Sequence, residues 1–388
     1  MIPKHLNDIS EDDLLALISN EVREGRTIDY KRELPGNSDT DKKEFLADVS
    51  SFANTGGGDL MFGVDENEGL PTLITGLQSA DIDLELRRLE SIMASGLDPR
   101  IWYAAKVINC SGGRKTLLIR VERSWTGPHR VVFKGHDRFY GRNSAGKYAL
   151  DVNELRVAFT LPSTVTDRIR AFRTDRIIAL SNNETPVPFE KNPKLVLHCI
   201  PLESFASQPQ YDLQSFYKTC KEKLTTMPCS GWSYRFNLEG LLASDGNRNY
   251  PSTCYTQLYR NGVIESVNVA AHEYEGRFTI PSYAYERLIL DYLPSCFLLL
   301  RELGANVPIV IGLALTNARG VHMGVDIFRA AGGHDIEQDT IFLPETIVQE
   351  FSQPLSQILR PMFDVIWNAC GYSSSMNFDA AGNWIKRN

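Results

Sequence analysis

Between Glu24 and Asp65 the chain carries acids and a lysine at spacings that could support phosphoryl chemistry. In Glu24-Gly25-Arg26-Thr27-Ile28-Asp29-Tyr30-Lys31, a strand would send Asp29, Lys31 and Glu33 to one face. Ile28 and Tyr30 would take the other, because successive side chains alternate along a strand. An acid and a lysine two apart can hold a divalent cation through the carboxylate, while the ammonium stabilises charge on a scissile phosphate. Asp-x-Lys alone arises by chance in most chains, and an exposed ion pair is then the plainer reading. A second strand at 59–64 would put Asp59, Met61, Gly63 and Asp65 on one face and turn Leu60, Phe62 and Val64 to a core. Beside the first strand, it would let Asp65 approach Asp29, with Glu24 as a third acid. Glu24, Asp29 and Asp65 would form an oxygen set suited to Mg²⁺ or Mn²⁺.

A polyanion has a reason to approach. From Arg100 to Lys147 eleven basic residues stand against two acids, a surplus of nine; the rest of the chain is at −16 within a total of −7. Such a window is the footprint of a polyanion site, and solvated strand faces are the alternative. Arg114, Lys115, Arg120, Arg123, Arg130, Lys134, Arg138 and Arg142 are the candidate nucleic-acid contacts. Trp125, in a polar loop, is the candidate for stacking an unpaired base. His129 and His136 could serve in proton transfer, although lone loop histidines are usually incidental. Asn54, Thr55, Gly56 and Gly57 follow a helix. Their amides could line a phosphate, but a helix C-terminus repels anions, so a tight turn is favoured. No stretch supplies the G-x-x-x-x-G-K-[ST] of a P-loop.

Those residues need elements to position them. Apolar periodicity predicts helices at 11–23, 39–53, 81–95 and 151–159, the first capped by Ser10 and the last by an Asp151/Glu154 box. Strands are predicted at 27–34, 59–64, 101–109, 115–121 and 131–140. The mixture indicates an α/β (α+β) domain over 1–160. A connecting helix at 167–180 and a polar linker make up 161–193, and a second α/β domain occupies 194–388. In it, strands are expected at 194–200, 255–259, 262–269 and 307–315, with an N-G hairpin turn at Asn261-Gly262. Helices are expected at 285–303 and 344–370. This domain offers no catalytic constellation, and a sensor or homo-oligomerisation role is open to it.

The chain of 388 residues is long enough for two cores, and its 43% hydrophobic and 23% charged content is that of an ordinary globular protein. No apolar run reaches the ~20 residues of a membrane span. The seven scattered cysteines form no C-x-x-C pair, which argues against zinc and a disulfide framework and for reduced thiols in a cytoplasmic protein.

Four elements occur in order: Glu24…Ile28-Asp29-Tyr30-Lys31; Phe45…Phe52-Ala53-Asn54-Thr55-Gly56-Gly57-Gly58; Phe62-Gly63-Val64-Asp65; and Arg138-Phe139-Tyr140-Gly141-Arg142-Asn143-Ser144. This string resembles the Schlafen-type AlbA domain over residues 10–160. The resemblance implies a three-carboxylate endoribonuclease site acting on structured RNA such as tRNA, falling on Glu24, Asp29 and Asp65 with Lys31 beside them. Asp29 stands where the family has Glu, one methylene shorter. Bacterial relatives described as DNA-binding or ATP-binding leave two alternatives, a non-catalytic DNA-binding regulator and an ATP-binding regulatory module. The leading expectation is a Mg²⁺- or Mn²⁺-dependent nuclease on RNA rather than DNA, fitting a role in bacterial defence.

Overall fold

The computed structural model describes every residue except 3, 5, 79–80, 190–191, 207–208, 228–232, 246–250, 275, 326–332, 380 and 387–388. Cys229 and two positions of the expected linker, 190 and 191, lie outside the described residues. The chain divides into two compact units, Met1–Thr164 and Val165–Asn388.

The first unit runs α1 (Glu11–Ser19), β1 (Ile28–Lys31), α2 (Asp39–Ala53), β2 (Gly58–Phe62), β3 (Val64–Asn67), β4 (Leu70–Ile74), α3 (Ile82–Gly96), β5 (Leu97–Asp98), β6 (Tyr103–Asn109), β7 (Lys115–Val121), β8 (Arg130–Phe133), β9 (His136–Asn143) and β10 (Gly146–Ala149), before α4 (Val152–Ser181) carries the chain across the boundary. One sheet has the order β1-β2-β7-β6 and a second β10-β9-β8-β5. The expected neighbours β1 and β2 pair in parallel, Asp29 opposite Leu60. Alternation sorts the first sheet's two faces. Leu60, Phe62, Leu117 and Ile119 pack with Phe45, Val49 and Phe52 of α2 and Leu89 of α3. Ile28, Tyr30, Met61 and Leu118 pack on the opposite side with Ile2, Leu6, Ile9 and Leu14. Each large side chain so buried contributes about 1.5–3 kcal/mol. Asp29 lies between the two residues that face away from α2, so it is carried to the α2 side.

Two expected strands are broken by local geometry. Gly63 has φ +90, a conformation that costs an L side chain about 1–2 kcal/mol, and it ends β2. The chain then turns into β3, which pairs with β4 and not with the first sheet. Residues 131–140 form two strands, because Lys134 (φ 46) and Gly135 (φ 74) make a tight turn. The helices expected at 151–159 and 167–180 are one element, α4, with Pro162 inside it. Asp151 and Glu154 cap its start reciprocally at 2.9 and 2.8 Å, as expected.

The second unit adds β11 (Lys194–Pro201), α5 (Glu203–Ala206), α6 (Leu213–Cys220), β12 (Ser233–Phe236), β13 (Gly240–Ser244), β14 (Cys254–Tyr259), β15 (Ile264–Val269), β16 (His272–Tyr274), β17 (Arg277–Pro281), α7 (Ser282–Leu303), β18 (Ile309–Thr316), β19 (His322–Gly324), β20 (Thr340–Phe342), β21 (Thr346–Val348) and α8 (Leu355–Ala369). Its main sheet has the order β12-β13-β14-β15-β11-β18-β20, with β21 also on β18. Leu195, Leu197, Ile311 and Leu313 share a core with Ile289, Leu293, Phe363 and Trp367 of α7 and α8. The other face, with Val196, Tyr255, Val267 and Ala314, packs with Ile177 and Leu180. The helix expected from residue 344 begins at Leu355, and the residues before it contribute β21. The mixed helices and sheets bear out the α/β class.

Cys110, Cys199, Cys220, Cys296 and Cys370 are free thiols. Cys254 is disulfide-bonded, so the expectation of reduced thiols throughout fails there. No helix among the described residues is long and apolar enough to cross a membrane.

Candidate functional site

The register of β1 brings Asp29 into a buried cluster of charges. Its Oδ1 accepts from Lys31 Nζ at 2.8 Å, and its Oδ2 accepts from Arg142 Nη2. Arg142, on β9, is itself buried, and it is held on three further sides. Its Nε donates to Gly25 O at 2.7 Å, its backbone N–H donates to Thr55 Oγ1 at 2.9 Å, and its guanidinium lies 4.3 Å from the Phe52 ring centroid. Asp48 of α2, also buried, stands 3.5 Å from Arg142 Nη1 and accepts from Lys147 Nζ at 2.8 Å. Glu24 completes the group. Its Oε1 accepts from the Tyr30 N–H at 2.6 Å, and its carboxyl hydrogen-bonds Asp29. The Glu24 N–H donates to Gly69 O at 2.7 Å, fixing the approach to β1.

Three acids thus face three cations, and the acids are not equivalent. Burial, then the hydrogen bond to Asp29 and its negative charge, push Glu24 up to about 7. Burial alone would raise Asp29 too, but Lys31 and Arg142 outweigh it and hold that carboxyl below its ordinary range. Burial raises Asp48 despite Lys147. Lys31 is pulled down by burial but more strongly up by Asp48 and Asp29, so it stays an ammonium. Two carboxyls in contact cannot both ionise cheaply. Below about pH 7 the proton therefore sits on Glu24 and is donated to Asp29.

Asp65 is not part of this cluster. The Gly63 turn takes it off the β2 line onto β3, where its Oδ2 lies 3.4 Å from Arg32 Nη1 and its carbonyl accepts from Thr72 Oγ1. The expectation that Asp59, Met61, Gly63 and Asp65 share one strand face fails at that glycine. Asp59 is itself occupied, accepting from Arg120 Nε at 2.7 Å and from the Ile2 N–H at 2.7 Å. Each Asp29 oxygen already accepts from a cation, so a divalent ion there would have to share the carboxylate with Lys31 and Arg142 and meet their repulsion. As they stand, Glu24, Asp29 and Asp65 do not form a shared metal set. Among the described residues no group of three or more His, Cys, Asp or Glu is arranged to hold one.

The basic window divides in the same way. Arg120 and Arg142 are not surface cations: each is pulled inward by a buried aspartate. Lys147 is drawn to Asp48 and Glu44, and Lys106 donates to Asn7 O and Ile9 O, both at 2.6 Å. Arg114 is tied to the carbonyls of Ser111 and Ile74. Arg100, Lys115, Lys134 and Arg138 are exposed. Lys134 pairs with Asp39 at 2.7 Å, and Arg130 lies 3.2 Å from both Asp98 and Asp137. Trp125 is partly buried, with the Arg123 guanidinium 4.3 Å from its ring centroid. His129 is buried, its Nδ1 2.7 Å from Pro99 O, and burial lowers its pKa; His136 Nε2 pairs with Tyr140 OH at 2.7 Å.

The Asn54–Gly57 turn works as a clasp. Asn54 Nδ2 donates to His129 O at 2.8 Å and Tyr140 O at 2.9 Å, and its Oδ1 accepts from the His129 N–H at 2.7 Å. Gly57 has φ +72, and a Cβ there would lie 2.8 Å from both Arg123 N and Val121 O. Asp48 and Lys147 are the cluster members that motif reading missed. The signal was an aspartate spaced three from Phe45 and four from Phe52, on the apolar side of a helix.

Residues 24–151 match the Schlafen AlbA_2 family model, inside the span where the motif string was drawn. Among solved structures the chain is similar to the DIP2311 protein from Corynebacterium diphtheriae, at 21% identity over 36% of this chain, with a TM-score of 0.25. It spans 27% of that protein's length. It is also similar to the N-terminal domain of a RecG-related protein from Nitrosomonas europaea, at 28% identity over 33% of this chain and 82% of that one, with a TM-score of 0.26. No curated protein matches.

Proposed function

We propose that the N-terminal unit binds nucleic acid without a resident metal, and that Glu24, Asp29 and Lys31 hold the fold together as part of a buried charge network. The observation that carries this reading is the engagement of Asp29, whose two oxygens are taken by Lys31 and Arg142. The match to the Schlafen AlbA_2 family supports a nucleic-acid-related role. So does the surface: Arg100, Arg130, Lys134 and Arg138 remain on or beside β5, β8 and β9 after the inward cations are set aside. Their partners Asp98, Asp137 and Asp39 are largely exposed, and such pairs are worth only about 0–1 kcal/mol, so phosphates can displace them.

The test is one gel. End-labelled tRNA and single-stranded RNA and DNA are incubated with the full chain, with Mg²⁺ or Mn²⁺ and at rising salt. The expected result is retarded but intact nucleic acid, with a salt slope of about −3 for four phosphate contacts to a single strand. Cleavage with Mn²⁺ that Glu24→Ala, Asp29→Ala and Asp65→Ala each abolish would overturn the reading in favour of a metal-dependent nuclease. Absence of any retardation would remove nucleic-acid binding itself.

A further inference from the structure

Trp102 is 69% exposed, an unusual position for so large an apolar ring. It directly precedes β6, whose first residue, Tyr103, lies opposite Val121, the last residue of β7. That register sets Trp102 across from Glu122, the residue before Arg123, whose guanidinium lies over the Trp125 ring. Arg100 stands exposed two residues before Trp102. The chain segments that carry two indoles and two guanidiniums therefore meet where β6 begins and β7 ends.

The supporting backbone is held on several sides. The Ser124 N–H donates to Ala53 O at 2.8 Å, and Asn54 brackets His129 from both sides of its peptide. Gly57 fits beneath Arg123 N, where a Cβ would not. The Phe52-to-Gly58 motif, unexplained by any chemistry of its own, thus clamps the 122–129 segment against the end of α2. A rigid ring loses little freedom when a flat partner stacks on it. Guanidiniums beside it can meet the phosphates that follow each base.

We propose that Trp102 and Trp125, flanked by Arg100 and Arg123, form a stacking platform for the bases of a single-stranded nucleic acid. This rests on the nucleic-acid reading above. It specifies the substrate as a strand whose bases are unpaired, recognised by their faces and without hydrogen-bond readout of sequence. Duplex DNA hides those faces, so it meets the cations alone.

Two labelled probes separate the terms: a twelve-nucleotide oligo-U, and a backbone of the same length and charge without bases. Fluorescence anisotropy on the full chain should show oligo-U bound more tightly than the abasic strand. Trp102→Ala and Trp125→Ala should each weaken oligo-U by roughly five- to a hundredfold, the range for loss of one base stack, and leave the abasic strand within about twofold. Trp125→Phe, which keeps a ring, should retain most of the affinity and guards against a folding artefact. Tryptophan fluorescence should be quenched on binding oligo-U, and less so in each variant. If wild type binds both probes equally and the alanine variants match it, the platform fails while nucleic-acid binding stands. If wild type binds neither probe, both readings fail together.

Discussion

Replacing Arg142 by Met keeps much of the side chain's volume and removes its charge from between Asp29 and Asp48. The loss can be sized from the contacts. Breaking one side of a buried ion pair costs about 3–5 kcal/mol, because the other charge is left uncompensated. Arg142 qualifies, with 3% of its side chain exposed against 3% for Asp29 and 4% for Asp48. Lys31 still serves Asp29 and Lys147 still serves Asp48, which argues for the lower half of that range. The bond to Gly25 O and the stack on Phe52 are lost as well and do not depend on pH. Protonation limits the charge part. A stranded aspartate with an ordinary value of 3.8 can escape its penalty at about 1.4 kcal/mol for each pH unit above that value. That ceiling is nearly 6 kcal/mol at pH 8, out of reach, but only about 1.6 kcal/mol at pH 5. The sign follows: with folded values raised above unfolded ones, the folded variant binds more protons, and its stability falls as pH rises. Urea unfolding of the full chain, with hydrogen exchange over residues 24–31 and 45–53 to identify the N-terminal transition, should show a deficit of about 3–4 kcal/mol at pH 8. It should shrink by a third or more at pH 5. A deficit under about 1 kcal/mol, or one equal at both pH values, would refute the claim that this cluster is a charge lock.

Glu24→Gln supplies permanently the neutral group that Glu24 presents in the fold only below about pH 7. Its pKa of about 7 lies above the ordinary 4.5, so wild type loses stability as pH rises from 4.5 through 7. The glutamine variant should be flat over that window and more stable at pH 8 by about 1–2 kcal/mol, after discounting for partial exposure. Parallel pH profiles for the two proteins would count against the shared proton. In the second unit, Glu265 accepts from Arg176 Nε at 2.8 Å and Nη2 at 2.9 Å, from His198 Nε2 at 3.0 Å and from Tyr255 OH at 2.8 Å. Burial would raise its pKa, but those donors hold it down at about 2, so its contribution is present above 4.5 and lost as pH falls toward 2. Glu265→Gln should cost about 3–5 kcal/mol at pH 7, read by urea unfolding, and the deficit should narrow at pH 3. Equal deficits at the two pH values would contradict it.

What the sequence made legible follows from which forces are local. Asp29 and Lys31 were readable because strand alternation is a property of two residues, and the parallel pairing of β1 with β2 delivered them as expected. Asp65 was misplaced because the same alternation was carried through Gly63. A glycine inside a strand pattern marks a bend, and the positive φ there redirects everything after it. The basic window was visible as a sum but not as a surface. Its composition does not record which cations have a buried acid waiting: Arg120 meets Asp59 across 61 positions of sequence, and Arg142 meets Asp29 across 113. Such pairs are long-range by nature, and only one side of each carries a local sign. That sign is an acid where periodicity asks for an apolar residue: Asp48 between Phe45 and Phe52, Asp59 before Leu60, and Glu265 between Ile264 and Ser266 in a strand buried on both faces. A buried acid demands a cation or a proton. Counting the inward acids first, and subtracting a cation for each, would have predicted that part of the basic surplus is spent inside the fold. What is left over among the described residues is the smaller exposed set Arg100, Lys115, Lys134 and Arg138, and the proposed binding would rest on such cations.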